Sequence, residues 1–148
     1  MVDNVTSNAT KMAVLFGTIP SAEEVDQLQI LSDSFDLTIV SSESICGYLG
    51  QVCRNTSAQF LALPDYDENP TYIPGLENAL TTFDVVVVKE RLGLYAYQAV
   101  KAKWRRPFRL YVWVDNAAAF PAEDIGQMRT IRTELARSCD GFLVQSRA

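Results

Sequence analysis

The sequence has 148 residues, which suits one compact domain with a sizeable core. Apolar residues make up 48% of it and the formal net charge is −5, which excludes a disordered chain and argues against a nucleic-acid-binding protein, since such proteins usually carry a basic surplus. Histidine is absent, so catalytic triads, Cys-His pairs and metal sites that need an imidazole are excluded within these residues.

The amino-terminal residues are polar, and no apolar stretch is long enough to cross a bilayer. We therefore expect a cytoplasmic protein in which residues 1–11 form a flexible polar tail and residues 12–148 form a single domain. The three cysteines, Cys46, Cys53 and Cys139, follow no metal-binding spacing. They are expected to be buried, reduced thiols.

Short apolar runs, typical of buried strands, alternate with amphipathic segments, typical of helices. The first strand is predicted over residues 12–17, and Ser21 with Glu24 then forms a capping box that begins a helix. The next elements are predicted to be a strand over 36–42, a helix over 43–53, a strand over 58–64, a short helix at 76–80 and a strand over the four valines 85–88. The last are a helix over 93–104, a strand over 108–114, a helix over 123–139 and a strand over 141–146.

This alternation predicts an α/β fold: a Rossmann-like open parallel sheet in the order 3-2-1-4-5-6, with helices on both faces. Such sheets bind ligands at the carboxyl ends of their strands. The residues that follow the apolar runs are therefore the candidate site residues: Gly17, Thr18, Lys89, Glu90, Arg91, Asp115, Asn116, Gln145 and Ser146. Glu90 and Asp115 are expected to open into one shared pocket. For each residue the alternative is that it only marks where a buried strand reaches the surface.

Several specific sites are not predicted. The turn "FGTIPSAE" has one glycine where a dinucleotide site needs G-x-G-x-x-G, and no P-loop or G-x-S-x-G motif occurs. No metal site is predicted. The basic run "KAKWRR", residues 101–106, is typical of a solvated helix end; contact with nucleic acid or, peripherally, with an anionic membrane is the alternative.

Two stretches, "FDVVVVKERLGLYAYQAVKAKWRRPFRLYVWVDN" and "ELARSCDGFLVQSRA", resemble the amino-terminal half of GT-B-fold retaining glycosyltransferases of family four. Those proteins carry a strand of the type "DVVHVH", a helix, a strand ending near His-Asp, a long helix and a phrase like "ADRVIAVSEAAR". The resemblance covers residues 12–148 and is clearest over 83–148. It departs from the family at Gly17, which stands alone where the family often has several glycines, and at Val114, where it often has histidine.

The resemblance implies the acceptor-side domain of an enzyme that moves a sugar from a nucleotide donor to a small-molecule or glycan acceptor. Asp115 would be catalytic, and the other candidates would line the acceptor cleft. No cofactor is expected in this chain, because the family binds its nucleotide sugar mainly on a second, carboxyl-terminal domain with a Glu–seven residues–Glu motif. These 148 residues are therefore expected to be the inactive amino-terminal half of a two-domain enzyme. The alternatives are a stand-alone Rossmann-like binding or scaffolding module without catalysis and, more weakly, an epimerase-like enzyme of the same fold.

Overall fold

A computed structural model describes residues 9–16, 20–53, 57–64, 72–89, 94–115 and 127–145. Its centre is a six-stranded sheet with the order β3-β2-β1-β4-β5-β6, and all five neighbouring pairs are parallel. The strands are β1 (Lys11–Leu15), β2 (Asp36–Ser42), β3 (Gln59–Leu63), β4 (Val85–Lys89), β5 (Arg109–Asp115) and β6 (Gly141–Gln145). The predicted fold class and strand order are confirmed.

Within the described ranges, five helices lie between these strands: α1 (Ala22–Ser34), α2 (Glu43–Val52), α3 (Leu76–Leu80), α4 (Leu94–Arg105) and α5 (Gln127–Ser138). The predicted capping box begins α1, because the Ser21 hydroxyl accepts a hydrogen bond from the Glu24 amide and the Glu24 carboxylate accepts one from the Ser21 amide. This reciprocal pair satisfies two amides that have no partner inside the helix. In the described part of the chain, no helix is both long and apolar enough to cross a membrane.

The alternation of side chains along β4 divides the core into two layers. Val86 and Val88 pack on one face of the sheet in a cluster that includes residues of α3, α4 and α5, such as Ala99. Val87 packs on the other face in a cluster that includes Leu28 of α1 and residues of α2. A strand covered on both faces has to be apolar at every position, which is the physical reason for the run of four valines. Val85, at its start, is half-buried.

Element boundaries differ from the predictions by a few residues at most. β1 begins at Lys11, inside the predicted tail, because the Asp84 amide donates to the Lys11 carbonyl at 3.0 Å and the Asp84 carboxylate accepts from the Lys11 amide at 3.0 Å. β1 ends at Leu15, so Phe16 follows the strand, and its amide bonds the Val40 carbonyl at 3.3 Å. Residues 1–8 and 123–126 of the predicted tail and last helix lie outside the described residues.

Candidate functional site

The carboxyl edge of the sheet, where the parallel strands end, brings together three of the predicted site residues. Lys89 is the last residue of β4, Asp115 the last of β5 and Gln145 the last of β6. In the strand register Lys89 lies opposite Trp113, and Asp115 lies opposite Gln145. Because the chain runs outward from β1 to β3 and then returns to β4 beside β1, this edge includes the switch point at which parallel sheets bind ligands.

Lys89 is buried at this edge, with 3% of the residue exposed. Its ammonium nitrogen lies 2.6 Å from Oε2 of Glu24. It also lies 5.3 Å from the ring centroid of Trp113, which is within the range of a cation–π contact. The sequence predicted a cleft residue at this position, and the structure places the side chain in a buried ion pair between β4 and α1.

Glu24 uses both carboxylate oxygens. Oε1 accepts a hydrogen bond from the Ser21 amide at 2.8 Å, and Oε2 binds Lys89. The residue is 7% exposed. A negative charge is favourable at this position because the first turn of a helix carries unpaired N–H groups and the positive end of the helix dipole. The carboxylate therefore caps α1 and neutralises the lysine at the end of β4.

The backbone at the end of β4 is held from the opposite face of the sheet. The hydroxyl of Tyr95 in α4 donates to the Lys89 carbonyl at 2.7 Å, and Tyr95 is fully buried. Further along the same edge, the Ser41 hydroxyl of β2 donates to the Phe16 carbonyl at 2.5 Å. Phe16 in turn meets Trp113 edge to face, with ring centroids 6.0 Å apart. These contacts fix the level at which β1, β4 and β5 end.

The remaining predicted site residues lie outside the described part of the chain. They are Gly17, Thr18, Glu90, Arg91, Asn116 and Ser146. The backbones of Asp115 and Gln145 are described as strand, and their side chains are not. The shared pocket of Glu90 and Asp115 therefore stays a prediction.

Sequence reasoning missed the roles of Glu24 and Trp113 at this edge. Glu24 was identified only as half of a capping box, which is a local pattern, and its ion pair joins two distant segments. One signal was present: a lysine that directly follows four buried valines needs a nearby acceptor. The first turns of α1, α2 and α3 all contain a glutamate, so this signal alone did not select Glu24.

The basic run at the end of α4 is engaged with neighbouring elements. Lys103 pairs with Asp140, and Lys101 lies 3.6 Å from Glu77. Two arginines reach back toward α3: Arg105 donates to the Asn78 side chain and Arg106 to the Thr81 carbonyl, each at 2.8 Å. These contacts support the interpretation of the run as a helix end, although its lysines and arginines are partly or largely exposed.

The thiols of the described ranges are poorly suited to nucleophilic chemistry. Cys46 and Cys53 are buried, as predicted, and Cys139 is half-buried. Burial raises the pKa of the Cys53 and Cys139 thiols, which disfavours the reactive thiolate. Among the residues that the structure describes, no group of three or more histidine, cysteine, aspartate or glutamate side chains is arranged to hold a metal ion.

Solved structures with this arrangement of strands come from several functional classes. A short-chain dehydrogenase/reductase of the wide type from Veillonella parvula, solved with NADP, matches with a TM-score of 0.60 and 15% identity over 92% of this chain and 68% of that one. A phenylacrylic acid decarboxylase from Aquifex aeolicus matches with a TM-score of 0.55 and 13% identity over 95% and 83%. The fold is Rossmann-like.

A protein of unknown function from Vibrio parahaemolyticus matches over nearly the full length of both chains, with a TM-score of 0.51 and 12% identity over 99% of this chain and 97% of that one. At these identities the likeness shows the Rossmann-like fold alone, since this fold carries many unrelated activities. No protein-family model and no curated protein sequence matches this chain.

Proposed function

We propose that this domain is the acceptor-side half of a GT-B-fold retaining glycosyltransferase, which transfers a sugar from a nucleotide donor. The observation that carries the proposal is the meeting of Lys89, Asp115 and Gln145 at one edge, beside the switch point between β1 and β4. It is supported by the sequence resemblance, which is clearest over residues 83–148 and so covers β4, β5 and β6. The strand order is the one expected for such a domain.

The chemistry assigned to this edge is recognition of hydroxyl groups. A carboxylate such as Asp115 accepts hydrogen bonds from more than one sugar hydroxyl, and an amide such as Gln145 both donates and accepts. We assign Asp115 as the catalytic residue and the other predicted residues at this edge as the acceptor cleft. The nucleotide sugar would bind mainly to a second domain, and the enzyme would act in the cytoplasm, with any membrane contact peripheral.

A stand-alone binding or scaffolding module is the second candidate, and one observation favours it. Lys89, the predicted site residue whose side chain is described, is used in a buried ion pair with Glu24. Its ammonium group therefore contributes to the structure of the edge. A module of this kind would need only the shape and polarity of the edge and no reacting group.

Ligand titration followed by amide NMR signals tests whether this edge holds a sugar-acceptor site. We expect a panel of mono- and disaccharides, added to the isotope-labelled chain, to shift the amides of Lys89, Asp115 and Gln145. The amides of Lys11 and Asp36, which begin β1 and β2 at the opposite edge, serve as internal controls. Shifts confined to the opposite edge, or no shift with any sugar up to its solubility limit, would remove the support for an acceptor site and favour the module.

Turnover is the second readout. These 148 residues contain no pair of glutamates separated by seven residues, so the donor-side motif that the resemblance implies is absent from them. Incubated alone with uridine- and guanosine-diphosphate sugars, they should release nucleoside diphosphate no faster than a buffer control. Release well above that control would show that the half-domain interpretation is wrong.

A further inference from the structure

We infer that Glu24 determines the ligand specificity of the carboxyl edge. Its carboxylate occupies the position at which a Rossmann-like domain binds the phosphate of a ligand. In such domains the first strand is followed by a helix whose N-terminus receives the pyrophosphate of a bound dinucleotide. Here that helix is α1, and its N-terminal turn already holds a carboxylate. The edge is therefore closed to ligands that bring an anionic group to α1.

The geometry of Glu24 matches what a phosphate would do at this position. A phosphate at a helix N-terminus accepts hydrogen bonds from backbone N–H groups and pairs with a nearby lysine. The carboxylate of Glu24 does both, with Oε1 on the Ser21 amide at 2.8 Å and Oε2 on the Lys89 ammonium at 2.6 Å. Two donors that could recognise an anion, the Ser21 amide and the Lys89 ammonium group, are therefore already bonded to Glu24.

Burial makes this arrangement hard to displace. Glu24 is 7% and Lys89 3% exposed, and Trp113 lies against the ammonium group. Removing one partner of a buried ion pair leaves an uncompensated charge, which is strongly unfavourable. An incoming phosphate would also compete with the Glu24 carboxylate. Because this carboxylate is covalently attached to the chain, its effective concentration at the site is high and constant.

This arrangement predicts the class of ligand that the carboxyl edge binds. The identification of that ligand as a sugar acceptor rests on the proposed function. A ligand at this edge carries no phosphate or carboxylate at α1 and is recognised there through neutral, hydroxyl-bearing groups. Charged groups of the ligand, if it has any, lie toward β5 and β6, away from the Glu24–Lys89 pair. The occupied turn is also a second reason, independent of the missing glycines, why a dinucleotide cofactor is not expected in this chain.

Thermal unfolding in sodium phosphate and in sodium chloride of equal ionic strength tests this inference. Four proteins are compared at pH 7: the wild type, Glu24→Ala, the double variant Glu24→Ala with Lys89→Met, and Glu23→Ala. Glu23→Ala removes an exposed carboxylate from the same helical turn and so reports the general stabilising effect of phosphate on any folded protein. The double variant removes the cation that would bind the added anion.

In chloride, Glu24→Ala should have a lower Tm than the wild type. On changing from chloride to phosphate, its Tm should rise by about 3–5 °C more than the Tm of Glu23→Ala does, as expected for a site near saturation in a domain of this size. The wild type and the double variant should gain no more than Glu23→Ala. An equal gain in the wild type would show that Glu24 does not close the site. A gain in the double variant equal to that of Glu24→Ala would show that Lys89 is not its cation.

Glu24→Ala that is unfolded in chloride should fold on addition of phosphate; if it stays unfolded in both salts, the inference is overturned. A measurement on the wild type alone gives a further check. Pyrophosphate and NADP+ should leave the amide signals of Ser21 and Glu24 unmoved, and a saturable shift of both would contradict the inference. If the saccharide titration fails, the proposed sugar-acceptor site loses its support. The phosphate, pyrophosphate and NADP+ experiments test the role of Glu24 independently of that result.

Discussion

Gln98 forms two hydrogen bonds to the backbone of Ile73. Its side-chain oxygen accepts from the Ile73 amide at 3.0 Å, and its side-chain nitrogen donates to the Ile73 carbonyl at 2.8 Å. Both residues are buried. The pair holds the segment that enters α3 against α4, and it satisfies two backbone groups that belong to neither a helix nor a strand.

Replacing Gln98 with alanine should lower the free energy of unfolding by about 1–3 kcal/mol, because it leaves the buried Ile73 N–H without this partner, while the Ile73 carbonyl keeps its hydrogen bond from the Leu76 amide at 3.2 Å. Guanidinium unfolding measures the change. Gln51→Ala, on the exposed side of α2, is the matched control and should stay within about 0.5 kcal/mol of the wild type. A loss below about 1 kcal/mol for Gln98→Ala would mean that water replaces the amide at little cost.

The Lys89–Glu24 pair should show strong coupling in a double-mutant cycle. Lys89→Met alone should cost about 3–5 kcal/mol, because it leaves the Glu24 carboxylate buried beside an apolar side chain. With Glu24→Ala added, the total loss should be clearly smaller than the sum of the two single losses. Urea unfolding of the four proteins gives the coupling energy, and additive losses would show that the two charges do not depend on each other.

Asp140 should make stability depend on pH in acid. A hydrogen bond from Lys103 and another from the Leu110 amide lower the pKa of Asp140. A carboxyl group whose pKa is lowered by folding stabilises the protein above its unfolded pKa of about 3.9, and the contribution is lost as the pH falls through the folded pKa. Asp140→Asn should therefore be less stable than the wild type at neutral pH and approach it in strong acid.

The loss for Asp140→Asn at pH 7 should be under about 1 kcal/mol, since a partly exposed ion pair is screened by water and salt. The free energy of unfolding measured by denaturant titration from pH 7 down to strong acid checks this course. Asp33→Asn, an exposed aspartate on α1, is the control. A difference between wild type and Asp140→Asn that grows as the pH falls would reverse the sign and contradict the assignment.

Asp115 should matter for activity and little for stability. In the full-length enzyme that we propose, Asp115→Ala should lower turnover or acceptor affinity by about tenfold or more, which corresponds to about 1.4 kcal/mol for a lost charged hydrogen bond. The Tm should be nearly unchanged. Steady-state kinetics and a melting curve measured on the same preparation test both parts.

The control for Asp115 is Asp36→Ala, which removes an exposed aspartate at the opposite edge of the sheet and should leave the kinetics unchanged. Full activity in Asp115→Ala would show that this residue only ends a strand. Loss of the fold in the same variant would show that its role is structural.

The sequence by itself determined the elements and their order. The valines of β4 are apolar at every position because both faces of a central parallel strand are covered, and that pattern is visible without any coordinates. The capping box of Ser21 and Glu24 was equally readable, since its two residues lie within one helical turn. The handedness of βαβ connections then left few alternatives to the observed strand order.

Only the tertiary structure decided which side chains meet. Glu24 and Lys89 come from different segments, and they pair because the register of β4 against β1 and β5 brings the end of the strand to the first turn of α1. Gln98 reaches Ile73 for the same kind of reason, through the packing of α4 on the segment before α3. The local periodicity of the sequence predicts the face of a helix or strand on which a residue lies. The contacts that the residue makes depend on segments distant in sequence, which the sheet brings next to it.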